Sequence, residues 1–166
     1  MTGARFDPYA VIRELERERV TYVVIGGLAR VIRGSDELTR GTDLAPSPRP
    51  QNLGRLERAL ANLNARQPNR KLFELGALDP ERELLLSLAS DGGEIKIVFQ
   101  PSGTRGYNDL RHRATREPIG EGLRPAVASA DDLLRMLETL ERPPDAHTIE
   151  TMQRVLELDR GLSWGL

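Results

Sequence analysis

The chain has 166 residues, 39% apolar and 30% charged, a balance that suits one globular domain with a real core. It has no cysteine, which excludes disulfides and thiolate metal sites, and no apolar run near the roughly 18 residues of a membrane span. A net charge of −1 argues against wholesale electrostatic binding to nucleic acid, and "MTGARFDPYAVIRELERERV" lacks the apolar core of a signal peptide, so the expected compartment is the cytoplasm. The positive charge is almost all arginine, with Lys71 and Lys96 the only lysines, so a local arginine patch for phosphates stays open.

In chain order, Asp7-Pro8 starts a helix, a capping carboxylate followed by proline at the first helical position. "TYVVIGG" reads as a buried strand stopped by glycine, and "LARVIRG" as a brief helix ended by Gly34. Leu38 to Ala45 reads as a second strand, closed by the prolines of "APSPRP". Asn52 is placed to cap the next helix, with Leu53, Leu56, Leu60 and Leu63 on one apolar face. "KLFEL" is a candidate short strand, and "ELLLSLASDGGEIKIVFQ" a hairpin turning at "SDGG". "SGTRGYNDLRHRA" is a loop with a helical turn, and "TREPIGEGLRPAVAS" a small strand pair. Ser129 opens a helix, with Asp132 set for a capping-box-like contact. "RPPD" breaks that helix and starts a last one through about Asp159, leaving "GLSWGL" as a tail. The order predicts an α/β core over residues 1–128 and a helical C-terminal part, 129–166, of the same domain.

The chemistry centres on Gly26-Gly27 and on the second strand, beyond the brief helix. A Gly-Gly between strand and helix brings backbone N–H groups and a helix N-terminus close to an anion, although the same pattern also serves simple packing. Alternation puts residues 39, 41 and 43 on one face of the second strand. Carboxylates at 41 and 43 would hold Mg²⁺ against triphosphate oxygens, but Gly41 stands at the first position and only Asp43 at the second. A neighbouring strand "EIKIVF" would present Glu94 and Lys96 on its polar face, either as a substitute acid and a phosphate-binding cation or as a solvated ion pair. His112 and His147 lack metal-ligand spacing. Arg111, Arg113 and Arg116 with Tyr107 are a candidate RNA contact or a solvated loop face.

"YVVIGGLARVIRGSDELTRGTDLAP" followed by "NLGRLERAL" resembles the minimal nucleotidyltransferase fold, nearest to the AbiEii/MenT-like toxins of bacterial toxin–antitoxin and phage-defence systems. "EIKIVFQPSGTRGYNDL" and "VASADDLLRMLETLERPPD" fit the later pieces, so the likeness spans roughly residues 20 to 150. It implies an α/β fold with a small mixed sheet flanked by helices, and Mg²⁺-dependent transfer of a nucleotide from an NTP to an acceptor. In the toxin-like branch that acceptor is the 3′ end of tRNA, and a cognate antitoxin is the protein partner. The resemblance assigns Gly26, Gly27 and Ser35 to the phosphates, Thr39 to the opening of the carboxylate motif, Asp43 to the metal, and Arg142 and Asp145 to the late Arg-Pro-x-Asp. Three positions depart: Gly41 replaces the first metal acid, Lys96 the third acid, and Leu137 a helical lysine. An introduced change at Gly41 would not account for Lys96 and Leu137, so natural divergence explains the set better. A non-catalytic nucleotide- or partner-binding module is the rival expectation, and transfer onto an antibiotic a third.

Overall fold

In the computed structural model, residues 5–69, 73, 75–140 and 146–164 are described, with 162–164 in backbone only. Helix α1 (Pro8–Arg17) begins as expected, the Asp7 carboxylate accepting from the Ala10 N–H at 3.1 Å. Strand β1 (Tyr22–Ile25) is buried throughout and runs directly into α2 (Gly26–Arg33), so both glycines lie in the first helical turn. Gly34 ends α2 in the left-handed conformation, at φ 119°. Strand β2 (Gly41–Pro46) starts three residues later than the apolar pattern suggests and leads into α3 (Pro50–Asn62).

Strands β3 (Leu85–Ser90) and β4 (Gly93–Val98) form the expected hairpin, and the Ser90 hydroxyl closes its turn by donating to the Gly93 carbonyl at 2.6 Å. A single helical turn, α4 (Tyr107–Leu110), precedes the strand pair β5 (Thr115–Arg116) and β6 (Ala126–Val127). Helix α5 (Ala130–Glu138) is capped by the Ser129 hydroxyl, which accepts from the Asp132 N–H at 3.1 Å. The last helix, α6 (Ala146–Trp164), continues past Asp159 into the stretch expected as a tail. A lone glycine, Gly161, does not stop a helix that has already propagated. Most of "KLFEL" lies outside the described residues; Phe73 is buried and outside any strand, its N–H donating to the Ala65 carbonyl.

The six strands make one mixed sheet in the order β3-β4-β2-β1-β6-β5. β1 is antiparallel to β2 and parallel to β6, and β2 is parallel to β4. Helix α1 packs on α3, and α2 on α5, which in turn packs on α6. Leu44, Leu56, Leu60, Ile95, Ile97 and Leu133 form the centre of the core. Arg33 ties α2 to the far strands. It donates to the carbonyls of Ala128 and Val127 at 3.0 and 2.9 Å, to Glu117 at 2.8 Å and to Thr115 Oγ1 at 2.8 Å.

Asn52 does not cap α3; that position is held by Arg49. Its carboxamide is buried and clasps the preceding strands instead. Oδ1 accepts from the Thr21 N–H at 2.6 Å, and Nδ2 donates to the carbonyls of Thr21 and Ser47 at 2.8 and 2.9 Å. These bonds satisfy backbone groups beyond the ends of β1 and β2, where the ladder gives out. Among the described residues no helix is long and apolar enough to cross a membrane.

Candidate functional site

The sheet register brings the candidate residues of two strands side by side. Gly41 pairs with Glu94 and Asp43 with Lys96 along the parallel β2–β4 ladder, while Ile25 of β1 faces Asp43 from the other side. Directly after Ile25 the chain turns at Gly26, with φ +67°. A side chain there would be strained, and its Cβ would collide with the Asp43 carboxylate. Gly26 therefore makes room for Asp43 as well as exposing its own backbone. Gly27 lies against Thr39 and Glu37, its site for a Cβ lying 3.1 Å from Thr39 Oγ1 and 3.3 Å from Glu37 Oε1. The Thr39 hydroxyl donates to the Gly41 carbonyl at 3.2 Å.

These elements border a cleft of about 360 Å³. Gly26, Arg30, Asp43 and Lys96 form its polar end, and Leu85, Val98, Leu133, Met136, Leu137 and Leu140 form an apolar wall. Leu137, where the resemblance implies a lysine, is part of that wall. Ser35 is elsewhere: its hydroxyl donates to Glu37 Oε2 at 2.8 Å and does not line the cleft. Arg142 and Asp145 lie outside the described residues.

Two side chains at the cleft or bound to it were not singled out from the sequence. Arg30, one helical turn after Gly26, reaches the cleft and is gripped by Glu37 through two bonds of 2.8 Å, from Nε and from Nη2. Burial works to raise the Glu37 carboxyl, but bonds from Arg30 and Ser35 and the Arg30 charge prevail and hold it below the usual carboxylate range. The Glu37 grip fixes the guanidinium without removing it from the cleft. A Gly-x-x-x-Arg spacing inside a predicted helix, with an acid beyond the following turn, was the available signal.

Asp43 is in the opposite situation. Burial pushes its carboxyl above the usual range; Lys96 pulls it down, Glu94 pushes it up, and Arg30 pulls it down, without cancelling the desolvation. Glu94 and Lys96 are both about half exposed and 3.9 Å apart, a loose contact of little energetic weight. Mg²⁺ asks for several hard oxygen ligands in near-octahedral array. Among the described residues the cleft wall offers Asp43 alone, with Lys96 beside it in register and Arg30 across the turn. Among the described residues no group of three His, Asp or Glu side chains is arranged to hold a metal. This donor set does not fit the resident metal that the resemblance implies; its charge pattern suits an anion.

The arginine cluster read from the sequence divides. Arg113 pairs with Asp132 at 3.6 Å and Arg116 donates to the Arg124 carbonyl at 3.1 Å, whereas Arg111 and Tyr107 face a separate pocket. His112 is exposed, and His147 Nε2 lies 3.3 Å from Asp36 Oδ1.

No family profile and no curated protein matches the sequence. Solved structures do match. The antibiotic-resistance factor ANT(2'')-Ia is similar over 94% of this chain and 83% of its own, with TM-score 0.59 and 12% identity. A Thermotoga maritima protein provisionally described as a nucleotidyltransferase is similar over 93% of this chain and 87% of its own, with TM-score 0.51 and 15% identity. The chain thus has a nucleotidyltransferase-like mixed α/β fold.

Proposed function

We propose that the chain is a nucleotide-binding module on a nucleotidyltransferase-like fold, taking the phosphates of a nucleoside triphosphate at the polar end of the cleft without metal-dependent transfer. The observation that carries this reading is the register pairing of Lys96 with Asp43, which sets a cation where an acid would be needed. Lys96 and Arg30 supply positive charge to the phosphates, and the first-turn N–H groups of Gly26 and Gly27 add a field of the same sign. Leu133, Met136 and Leu137 offer an apolar wall to the ribose and base. On this reading the biological output is a contact with a partner, such as a cognate antitoxin, rather than a modified RNA.

The rival reading is nucleotidyl transfer, to a tRNA 3′ end or to an antibiotic. It is favoured by Glu94, whose place beside Gly41 leaves a second carboxylate near Asp43. Titration with ATP and GTP, with and without Mg²⁺, separates the two when run on the unaltered chain, Asp43→Asn and Lys96→Met. Binding through cations predicts affinity nearly independent of Mg²⁺, about tenfold weaker in Lys96→Met and tighter in Asp43→Asn, which removes a repelling charge. Binding that requires Mg²⁺ and disappears in Asp43→Asn, or transfer of label to total tRNA, would overturn the proposal.

A further inference from the structure

We infer a second anion site, for phosphate groups, in a pocket beyond the opposite end of β1 from the cleft. The pocket has a volume of about 260 Å³ and is walled by Arg49 before α3, Arg55 within it and Arg111 after α4. Thr21 and Ser47 line it where they flank β1 and β2. The four residues of β1 separate the two sites by roughly 13 Å of extended chain, so a ligand here is not an extension of one in the cleft.

Charge is the first argument. Among the described residues no carboxylate lines the pocket, although the chain has 25 acids for its 24 basic residues. Several arginines elsewhere pair with acids, among them Arg13 with Glu121, Arg30 with Glu37, Arg33 with Glu117 and Arg58 with Glu18. Arg49 and Arg111 have no ion pair or side-chain hydrogen bond among the described residues, and Arg55 has a single long bond of 3.5 Å to the Arg19 carbonyl. Three guanidiniums around one concavity repel each other unless an anion joins them, and their planar donors match phosphate oxygens.

The floor is the second argument. The Asn52 carboxamide, with all its bonds made inward, holds Thr21 and Ser47 rigidly together. Ser47, 4% exposed as a residue, lines the pocket and brings a hydroxyl to this floor. A hydroxyl in the wall of a cationic pocket is a donor that a ligand oxygen can engage. Tyr107, half-buried, lines the same pocket.

The shared chemistry is a phosphate group, from a free nucleotide or diphosphate or from the backbone of a nucleic-acid strand. Pyrophosphate and a 12-nucleotide single-stranded RNA, titrated separately into ¹⁵N-labelled protein, distinguish these sources. The expected result is saturable shifts at the side-chain amides of Gln51 and Asn108 that persist in Lys96→Met, where the cleft has lost a cation. Shifts by both probes mean that the phosphate alone is read, and shifts by the RNA alone assign the strand; each supports the site. Arg111→Gln, at an exposed side chain with no ion pair or side-chain hydrogen bond among the described residues, should weaken binding about tenfold, and Arg55→Gln similarly, while Lys96→Met leaves it unchanged. Absence of saturable shifts with either probe, or equal affinity in the arginine variants, would overturn the inference.

Discussion

Asp43 gives up hydration on folding that Lys96 and Arg30 do not fully return, and that imbalance has a signed consequence for stability. A carboxyl whose folded pKa lies above its unfolded value of about 3.9 binds its proton more tightly in the native state. Its contribution is therefore most favourable below the unfolded pKa and declines as pH rises through the folded one. Asp43→Asn keeps the shape and removes the charge, so it should raise Tm at pH 7, with the gain fading near pH 3, where both forms are neutral. Equal melting at pH 7 would mean that the cations compensate Asp43 in full. Gly41 poses the complementary test. A Cβ there would lie 3.0 Å from the Glu94 carbonyl oxygen and 3.2 Å from its Cβ, so β4 must give by a few tenths of an ångström. Gly41→Asp also sets a third carboxylate among Asp43 and Glu94. We expect it to cost about 1–3 kcal/mol in metal-free buffer. Millimolar Mg²⁺ should restore part of the loss and leave the unaltered chain unmoved, since a ligand stabilises only the form that binds it. Thermal melts with and without Mg²⁺ read this directly.

Among the elements, the clasp between α3 and the strands carries the next expectation. Asn52→Ala removes three hydrogen bonds and leaves the Thr21 N–H to find another partner, at a cost of about 2–3 kcal/mol by denaturant unfolding. An N-cap role would instead predict about 1 kcal/mol and a frayed first turn of α3. The same residue shows where sequence legibility ends. The strand-glycine-helix start, the hairpin and the Ser129 cap were readable because each is written in neighbours two to four residues apart. The pairing of Asp43 with Lys96 was half readable: alternation gave the facing side chains, but only the parallel β2–β4 ladder sets which of them meet. Asn52 satisfies the capping rule locally and is claimed by a backbone 31 residues away, and Arg33 draws its partners from 82 to 95 residues on. Ser35 illustrates the reverse failure, a motif-like serine spent on Glu37, which no spacing rule distinguishes from a phosphate ligand.

At the scale of the molecule, the helical C-terminal part shares one core with the sheet, joined to it through the last strand. β6 lies parallel beside β1, pairing Val24 with Val127, and the Ala128 N–H donates to the Val24 carbonyl at 3.0 Å. Leu133, Met136, Leu137 and Met152 are buried in the same core as Val24 and Leu28. Without residues 126–127, β1 would present an open edge, and without α5, helix α2 would lose a helical neighbour. The glycines of the cleft lie at the junction of β1 and α2, so the positioning of Gly26 and Arg30 depends on this closure. We therefore predict one cooperative unit: native-state hydrogen exchange should give the protected amides of β1, β2 and α5 a common highest opening free energy. Leu133→Ala, at a position 1% exposed, should lower that value by about 2–5 kcal/mol in all three elements together. If α5 instead opened at lower free energy while β1 and β2 kept theirs, the C-terminal helices would be a separate foldon. The apolar wall of the cleft could then be withdrawn without unfolding the sheet, and nucleotide affinity would fall in Leu133→Ala while the protection of β1 stayed unchanged.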